Sequence, residues 1–116
     1  AGGLRLQVTM EHEREPFETP ADDPAVQAVA GAHTRVTGTD ADYVGLRIVG
    51  DANLYVDGAG VPTFYYGPSN ETAHADLEWV EVDRLHRAAQ VYALAAIDYC
   101  GVAGEWRQSE WHEQRQ

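Results

Sequence analysis

Residues 50–80, GDANLYVDGAGVPTFYYGPSNETAHADLEWV, contain the pattern that decides the predicted fold. Within this stretch Val61–Tyr66 is apolar and aromatic, with glycines before it and Gly67-Pro68 after it, which predicts a strand inside a sheet. The next residues predict a loop that carries His74. Open α/β sheets place ligand and metal sites beyond the carboxyl ends of their strands, and imidazole is a common zinc ligand. The loop is therefore a candidate site.

Two further segments predict strands. Leu4–Met10 alternates apolar and polar residues without a break, which is typical of a half-buried strand. Tyr43–Val49 is rich in β-forming residues, with Gly45 as a weak point. Between Val49 and the predicted strand Val61–Tyr66, Asp51 is positioned to cap a short helix over Ala52–Asp57.

Two longer helices are predicted on either side of this region. Asp23 as N-cap and Pro24 at the first helical position begin one helix, which Gly38 ends. The other begins at Asp83 and ends at Gly101. The apolar face of the first helix consists of Val26, Val29, Ala30, His33 and Val36. The apolar stripe of the second consists of Leu85, Ala88, Ala89, Tyr92, Ala95, Ala96, Tyr99 and Cys100. Helices and strands together predict an α/β fold.

Composition excludes some partners and favours a compartment. The 116 residues carry 19 acidic and 8 basic side chains, all arginine, for a net charge of −11. Nucleic acid is therefore not an expected partner, because phosphate contacts need clustered basic residues. No apolar run approaches the roughly 18 residues of a membrane helix, so no membrane partner is expected. The single cysteine, Cys100, cannot form an internal disulfide, which fits a cytoplasmic protein.

Several short motifs resemble the C-terminal segment of one enzyme family. In chain order they are Pro16-Phe17-Glu18-Thr19-Pro20 followed by Asp23-Pro24-Ala25-Val26-Gln27, then Gly50-Asp51-Ala52-Asn53, Gly60-Val61-Pro62-Thr63, Tyr66-Gly67-Pro68, and Ala73-His74 with Glu78-Trp79-Val80-Glu81-Val82-Asp83. Their order and spacing resemble the co-catalytic zinc amidohydrolases and peptidases. That family includes acetylornithine deacetylase, succinyl-diaminopimelate desuccinylase, aminoacylase and the glutamate carboxypeptidases. The resemblance covers about residues 4–102.

The resemblance implies a domain arrangement. Residues 1–17 are expected to be the final strand and exit of a lid (dimerisation) domain, and residues 18–104 the C-terminal part of an α/β catalytic domain. Residues 105–116 are expected to be a polar tail.

The resemblance also assigns site residues. His74 falls where the family's last zinc ligand falls, and Glu78 is the acid that follows it, in a position to orient an imidazole. Asn53, Gly67 and Pro68 match positions that shape the substrate pocket. For Asn53 helix capping is an equally weighted alternative, and for Gly67-Pro68 an ordinary strand-ending turn is. His33 and His86 are interpreted as structural or solvated residues.

The function implied by the resemblance is zinc-dependent cleavage of the amide bond of an N-acyl amino acid or small peptide, similar to acetylornithine deacetylase. The family uses two zinc ions, whose other ligands this chain lacks, so the 116-residue chain alone is expected to be inactive. The expected partners are the substrate, the remaining half of the catalytic domain, and further copies in a homo-oligomer. The alternative is a non-catalytic accessory or binding module, a truncated paralogue.

The acidic, lysine-free composition has two explanations, a halophilic surface or the arginine codons of a GC-rich genome. If the surface is halophilic, molar KCl should raise the melting temperature, because salt screens the repulsion between carboxylates. Thermal melts at low salt and in molar KCl check this. An unchanged or lowered melting temperature would favour codon usage.

Overall fold

The computed structural model describes residues 2–10, 14–69 and 71–103. These residues form three α-helices, α1 (Pro24–Thr37), α2 (Asp51–Ala59) and α3 (Val82–Cys100). The chain divides into two compact units. The first, residues 1–20 and 44–66, contains α2, and the second, residues 21–43 and 67–116, contains α1 and α3. The predicted tail, residues 105–116, lies outside the described residues.

The predicted α/β fold is wrong, because none of the described residues forms a β-strand. The three predicted strands, Leu4–Met10, Tyr43–Val49 and Val61–Tyr66, have no regular secondary structure. A strand needs a neighbour whose backbone N–H and C=O groups pair with its own. The alternation of apolar and polar residues within one segment does not show whether such a neighbouring strand is present. The side chains predicted to face a core are instead largely in solvent, with Leu4 97% and Met10 73% exposed.

The predicted ends of α1 are confirmed. The carboxylate of Asp23 accepts a hydrogen bond of 2.9 Å from the N–H of Ala25, which satisfies one of the unpaired donors of the first turn. Pro24 occupies the first helical position, where its missing N–H costs nothing. Gly38 ends the helix with φ of 77°, a left-handed conformation that glycine adopts without steric cost.

Helices α1 and α3 pack against each other, mainly through small side chains. Ala32 on α1 and Val91 on α3 are fully buried, and Ala88 and Ala95 lie beside Val91 on the same face of α3. The buried face of α3 is therefore centred on Val91, and the predicted stripe is wrong in part. Six of its members, Leu85, Ala89, Tyr92, Ala96, Tyr99 and Cys100, are exposed. The helix has two apolar faces, and α1 covers only one of them.

An ion pair also joins the two helices. Arg35 in the last turn of α1 donates to the carboxylate of Asp98 in α3. Both side chains are about half exposed, so water screens the pair and its contribution to stability is small.

No helix in the described part of the chain is both long and apolar enough to cross a membrane.

In the first unit, side chains hold the segment 14–20 close to α2 and the residues that follow it. Arg14 donates a hydrogen bond of 2.8 Å to the carbonyl of Gly50, and Thr19 donates one of 2.5 Å to the carbonyl of Thr63. The rings of Phe17 and Tyr65 lie 6.3 Å apart, centroid to centroid. A Cβ at position 50 would lie 2.7 Å from the Tyr65 hydroxyl, so a larger residue there would have to displace the end of the Tyr65 side chain. Side-chain contacts therefore join segments that lie more than 30 residues apart in the sequence.

The close packing of α1 and α3 predicts that a larger side chain at a buried alanine of α3 destabilises the fold. Ala88→Leu should lower the free energy of unfolding by about 1–3 kcal/mol, because the added methyl groups overfill the buried face. Its neighbour Ala89 is exposed, so Ala89→Leu is the matched control, with an expected change within about 0.5 kcal/mol. Urea denaturation measures both, and equal effects at the two positions would contradict the assigned face.

Candidate functional site

His74 lies in a tight turn with an unusual backbone conformation. The N–H of Ala75 donates a hydrogen bond of 3.1 Å to the carbonyl of Thr72, which closes the turn of residues 72–75. His74 is the third residue of that turn and has φ of 64°, the only positive value outside glycine among the described residues. A positive φ at this position is typical of a type II turn, where glycine or asparagine is usual. Histidine tolerates it better than most residues, at a cost of about 1–2 kcal/mol.

Glu78 contacts the backbone of His74. Its carboxylate accepts a hydrogen bond of 2.5 Å from the His74 N–H. A bond to an ionised acceptor is stronger than one between neutral groups. The contact therefore helps to hold the left-handed residue in place. That Glu78 orients the imidazole stays a prediction.

A second contact closes the loop that contains this turn. The hydroxyl of Thr72 donates to the carbonyl of Trp79 at 2.9 Å and accepts from the N–H of Trp79 at 3.1 Å. One side chain thus pairs with both backbone groups of a residue seven positions later. Residues 72–79, here called the His74 loop, are closed at their two ends by this contact.

Arg84 connects the residues flanking the His74 loop to the first turn of α3. Its guanidinium donates to Glu71 at 3.0 Å and lies 3.2 Å from a carboxylate oxygen of Glu81. The hydrogen bond and charge of Glu71, followed by the charge of Glu81, raise the pKa of Arg84 above its ordinary value. Because Glu71 precedes the loop and Glu81 follows it, one side chain links both flanks. The side chains are well exposed, so each pair is weak.

The imidazole of His74 is exposed, and within the described residues it makes no hydrogen bond. A free imidazole on a constrained backbone fits the role of one zinc ligand. A zinc site also needs at least two more protein ligands. The described residues contain no group of three or more His, Cys, Asp or Glu side chains that could hold a metal ion. His74 can therefore supply one zinc ligand, but the described residues do not form a complete zinc site.

Asn53 lies in the first unit, and its side chain is 4% exposed. Its Oδ1 accepts a hydrogen bond of 3.3 Å from the N–H of Gly50, the N-cap residue of α2. Its Nδ2 donates one of 2.8 Å to the carbonyl of Glu15. Gly50 rather than Asp51 is thus the N-cap, and Asn53 supplies the capping contact from inside the helix. Its predicted substrate contact stays a prediction.

Gly67 and Pro68 belong to the second unit, together with His74 and Glu78. Gly67 is exposed and Pro68 is half-buried. The hydroxyl of Ser69, which follows them, accepts a hydrogen bond of 3.2 Å from the N–H of Glu71. Ser69 is therefore engaged in a local turn.

The two histidines interpreted as structural or solvated have the predicted environments. His33 is half-buried on α1, and its backbone carbonyl accepts a hydrogen bond of 2.9 Å from the Thr37 hydroxyl. His86 is exposed on α3.

Comparison with known proteins identifies the family. Residues 5–98 match the model of peptidase family M20/M25/M40, and the chain belongs to that family. The expected membership of a hydrolase family of the metallopeptidase type is thereby confirmed at this level. No curated protein and no solved structure matches the chain.

The two hydrogen bonds of Asn53 predict a structural cost for its loss. Asn53→Ala should lower the free energy of unfolding by about 1–3 kcal/mol, because it removes the cap of α2 and leaves the Glu15 carbonyl without its donor. Leu54→Ala, at an exposed neighbour on the same helix, should change it by no more than about 0.5 kcal/mol. Urea denaturation measures both variants. If Asn53→Ala is as stable as the control and only weakens substrate binding, the residue acts at a pocket instead.

Proposed function

We propose that this chain is the C-terminal part of a zinc-dependent hydrolase that cleaves the amide bond of an N-acyl amino acid or small peptide, as acetylornithine deacetylase does. His74 supplies one zinc ligand. The observation that carries the proposal is the exposed imidazole of His74 on a backbone held by Glu78 and by the turn of residues 72–75. The match to the M20/M25/M40 family over residues 5–98 supports the reaction class.

The chemistry expected of this site divides between the metal and the protein. A zinc ion bound there polarises an amide carbonyl and lowers the pKa of a bound water toward neutrality. This chain contributes a ligand whose backbone position is fixed before the metal binds. Fixing the position in advance reduces the entropy that is lost when the imidazole coordinates.

The remaining ligands belong to a partner, and we propose that this partner is the other half of the catalytic domain. The exposed apolar side chains of the described residues support this. Leu4, Leu6, Val8 and Met10 alternate along one segment and are 73–97% exposed. An apolar surface of this kind is typical of an interface that is covered in the assembled protein. Further copies of the chain, in the expected homo-oligomer, are the second candidate for covering this surface.

A second candidate function is a non-catalytic accessory module. The lack of a complete metal-binding group among the described residues favours it. Zinc content separates the two candidates, because the accessory module requires no metal at His74.

Under the proposed function, replacing His74 should abolish turnover without unfolding the chain. His74→Ala, in the protein that contains both halves of the catalytic domain, should lose about one zinc ion per site. Turnover of an N-acetyl amino acid should fall by several orders of magnitude, since the bound water is then poorly activated. Zinc analysis of the purified protein and steady-state kinetics measure these quantities.

His33→Ala and His86→Ala are the matched controls, because they remove an imidazole elsewhere in the same unit. Both should retain zinc, with turnover within about tenfold of the original, a barrier change of at most about 1.4 kcal/mol. Normal zinc content and turnover in His74→Ala would contradict the assignment and favour the accessory module.

A further inference from the structure

The His74 loop contains a contact that the proposed zinc site does not by itself require. The Thr72 hydroxyl bonds to both the N–H and the carbonyl of Trp79, at 3.1 and 2.9 Å. Thr72 is half-buried, whereas the six residues between it and Trp79 are exposed. The loop therefore has few packing contacts, and its shape depends on its hydrogen bonds.

These hydrogen bonds act at different points of the loop. The contact of Thr72 with Trp79 fixes the two ends, and the bond from Ala75 to the Thr72 carbonyl forms the turn. The bond between the His74 N–H and Glu78 fixes the ligand residue itself. Thr72 takes part in the first two, once through its side chain and once through its backbone.

We propose that Thr72 is a positioning residue for the His74 ligand. By closing the loop, its hydroxyl keeps His74 at positive φ and Glu78 within reach of the His74 N–H, so that the backbone from which the imidazole extends is held in one conformation. This inference rests on the proposed role of His74 as a zinc ligand. It adds a residue that does not touch the metal but whose hydroxyl sets the affinity of the site for it.

The physical reason is the cost of ordering the loop. Without the hydroxyl, only the weak, exposed ion pairs of Arg84 link the two flanks of the loop, and zinc binding must then order residues that are at present held in place. Removing a group that orients a metal ligand weakens metal affinity by about 10–100-fold. The loss of two hydrogen bonds should also let the loop open more often, which amide hydrogen exchange detects.

The test uses three variants of the intact protein with both halves of the catalytic domain. Thr72→Val removes the hydroxyl and keeps the shape, and Thr72→Ser keeps the hydroxyl. Thr34→Val is the matched control, since the Thr34 hydroxyl donates to the Ala30 carbonyl of its own helix, α1, and is remote in sequence from the His74 loop. Two quantities are measured on each variant, the exchange rate of the Trp79 amide in the zinc-free protein and the dissociation constant for Zn²⁺.

The expected result is specific to the hydroxyl of residue 72. In Thr72→Val the hydrogen of the Trp79 amide should exchange about tenfold faster, and Zn²⁺ should bind about 10–100-fold more weakly. The melting temperature of this variant should change little. Thr72→Ser should restore both values to within about threefold, and Thr34→Val should change neither. A purely structural role for Thr72 would not alter Zn²⁺ affinity at a temperature far below the melting transition.

Two results would overturn the inference while leaving the proposed function intact. One is unchanged exchange of the Trp79 amide in Thr72→Val. The other is faster exchange with unchanged Zn²⁺ affinity, in a protein whose His74→Ala variant does lose zinc. If His74→Ala itself retains zinc, the proposed function fails, and the positioning role of Thr72 fails with it.

Discussion

The contact between α1 and α3 is the constraint on which the second unit depends. It places Ala32 of one helix and Ala88, Val91 and Ala95 of the other in the interior. Small side chains let two helix backbones approach closely, but they bury little apolar area, and each stabilises the fold only modestly. Arg84 in the first turn of α3 contacts the residues on either side of the His74 loop through two exposed ion pairs. The candidate site is therefore connected to the helix pair, although neither helix contributes a ligand to it.

Local signals predicted the helices well because the groups that define them are close in sequence. Asp23, Pro24 and Gly38 act on residues of their own helix, so the chain alone specifies α1. The strands were wrong for the opposite reason, since pairing partners are separate segments and alternation does not identify them. Of the eight residues predicted for the buried face of α3, only Ala88 and Ala95 are buried. Its sequence offers two apolar faces, and only the position of α1 selects the one through Val91.

The candidate site shows the same division. His74 was found through its resemblance to a family motif, and its exposed imidazole has the freedom that a ligand needs. Thr72 carried no comparable signal, because a hydrogen bond that closes an irregular loop leaves no periodic pattern in the sequence. Their contact exists only because the chain reverses between them. Helix capping was one of the two predicted roles of Asn53, and its place three residues after Gly50 is a spacing that suits this contact.

At the left-handed backbone position of His74, folding stability and the proposed zinc binding favour different residues. At φ of 64° a glycine would relieve the strain and, by stability alone, would be the preferred residue. Glycine has no imidazole, so the substitution that most favours folding is also the one that removes the proposed ligand. Random mutation filtered only for a stable fold would drift toward glycine or asparagine at this position. In a copy of this sequence that no longer needs the proposed ligand, position 74 should be among the first to change.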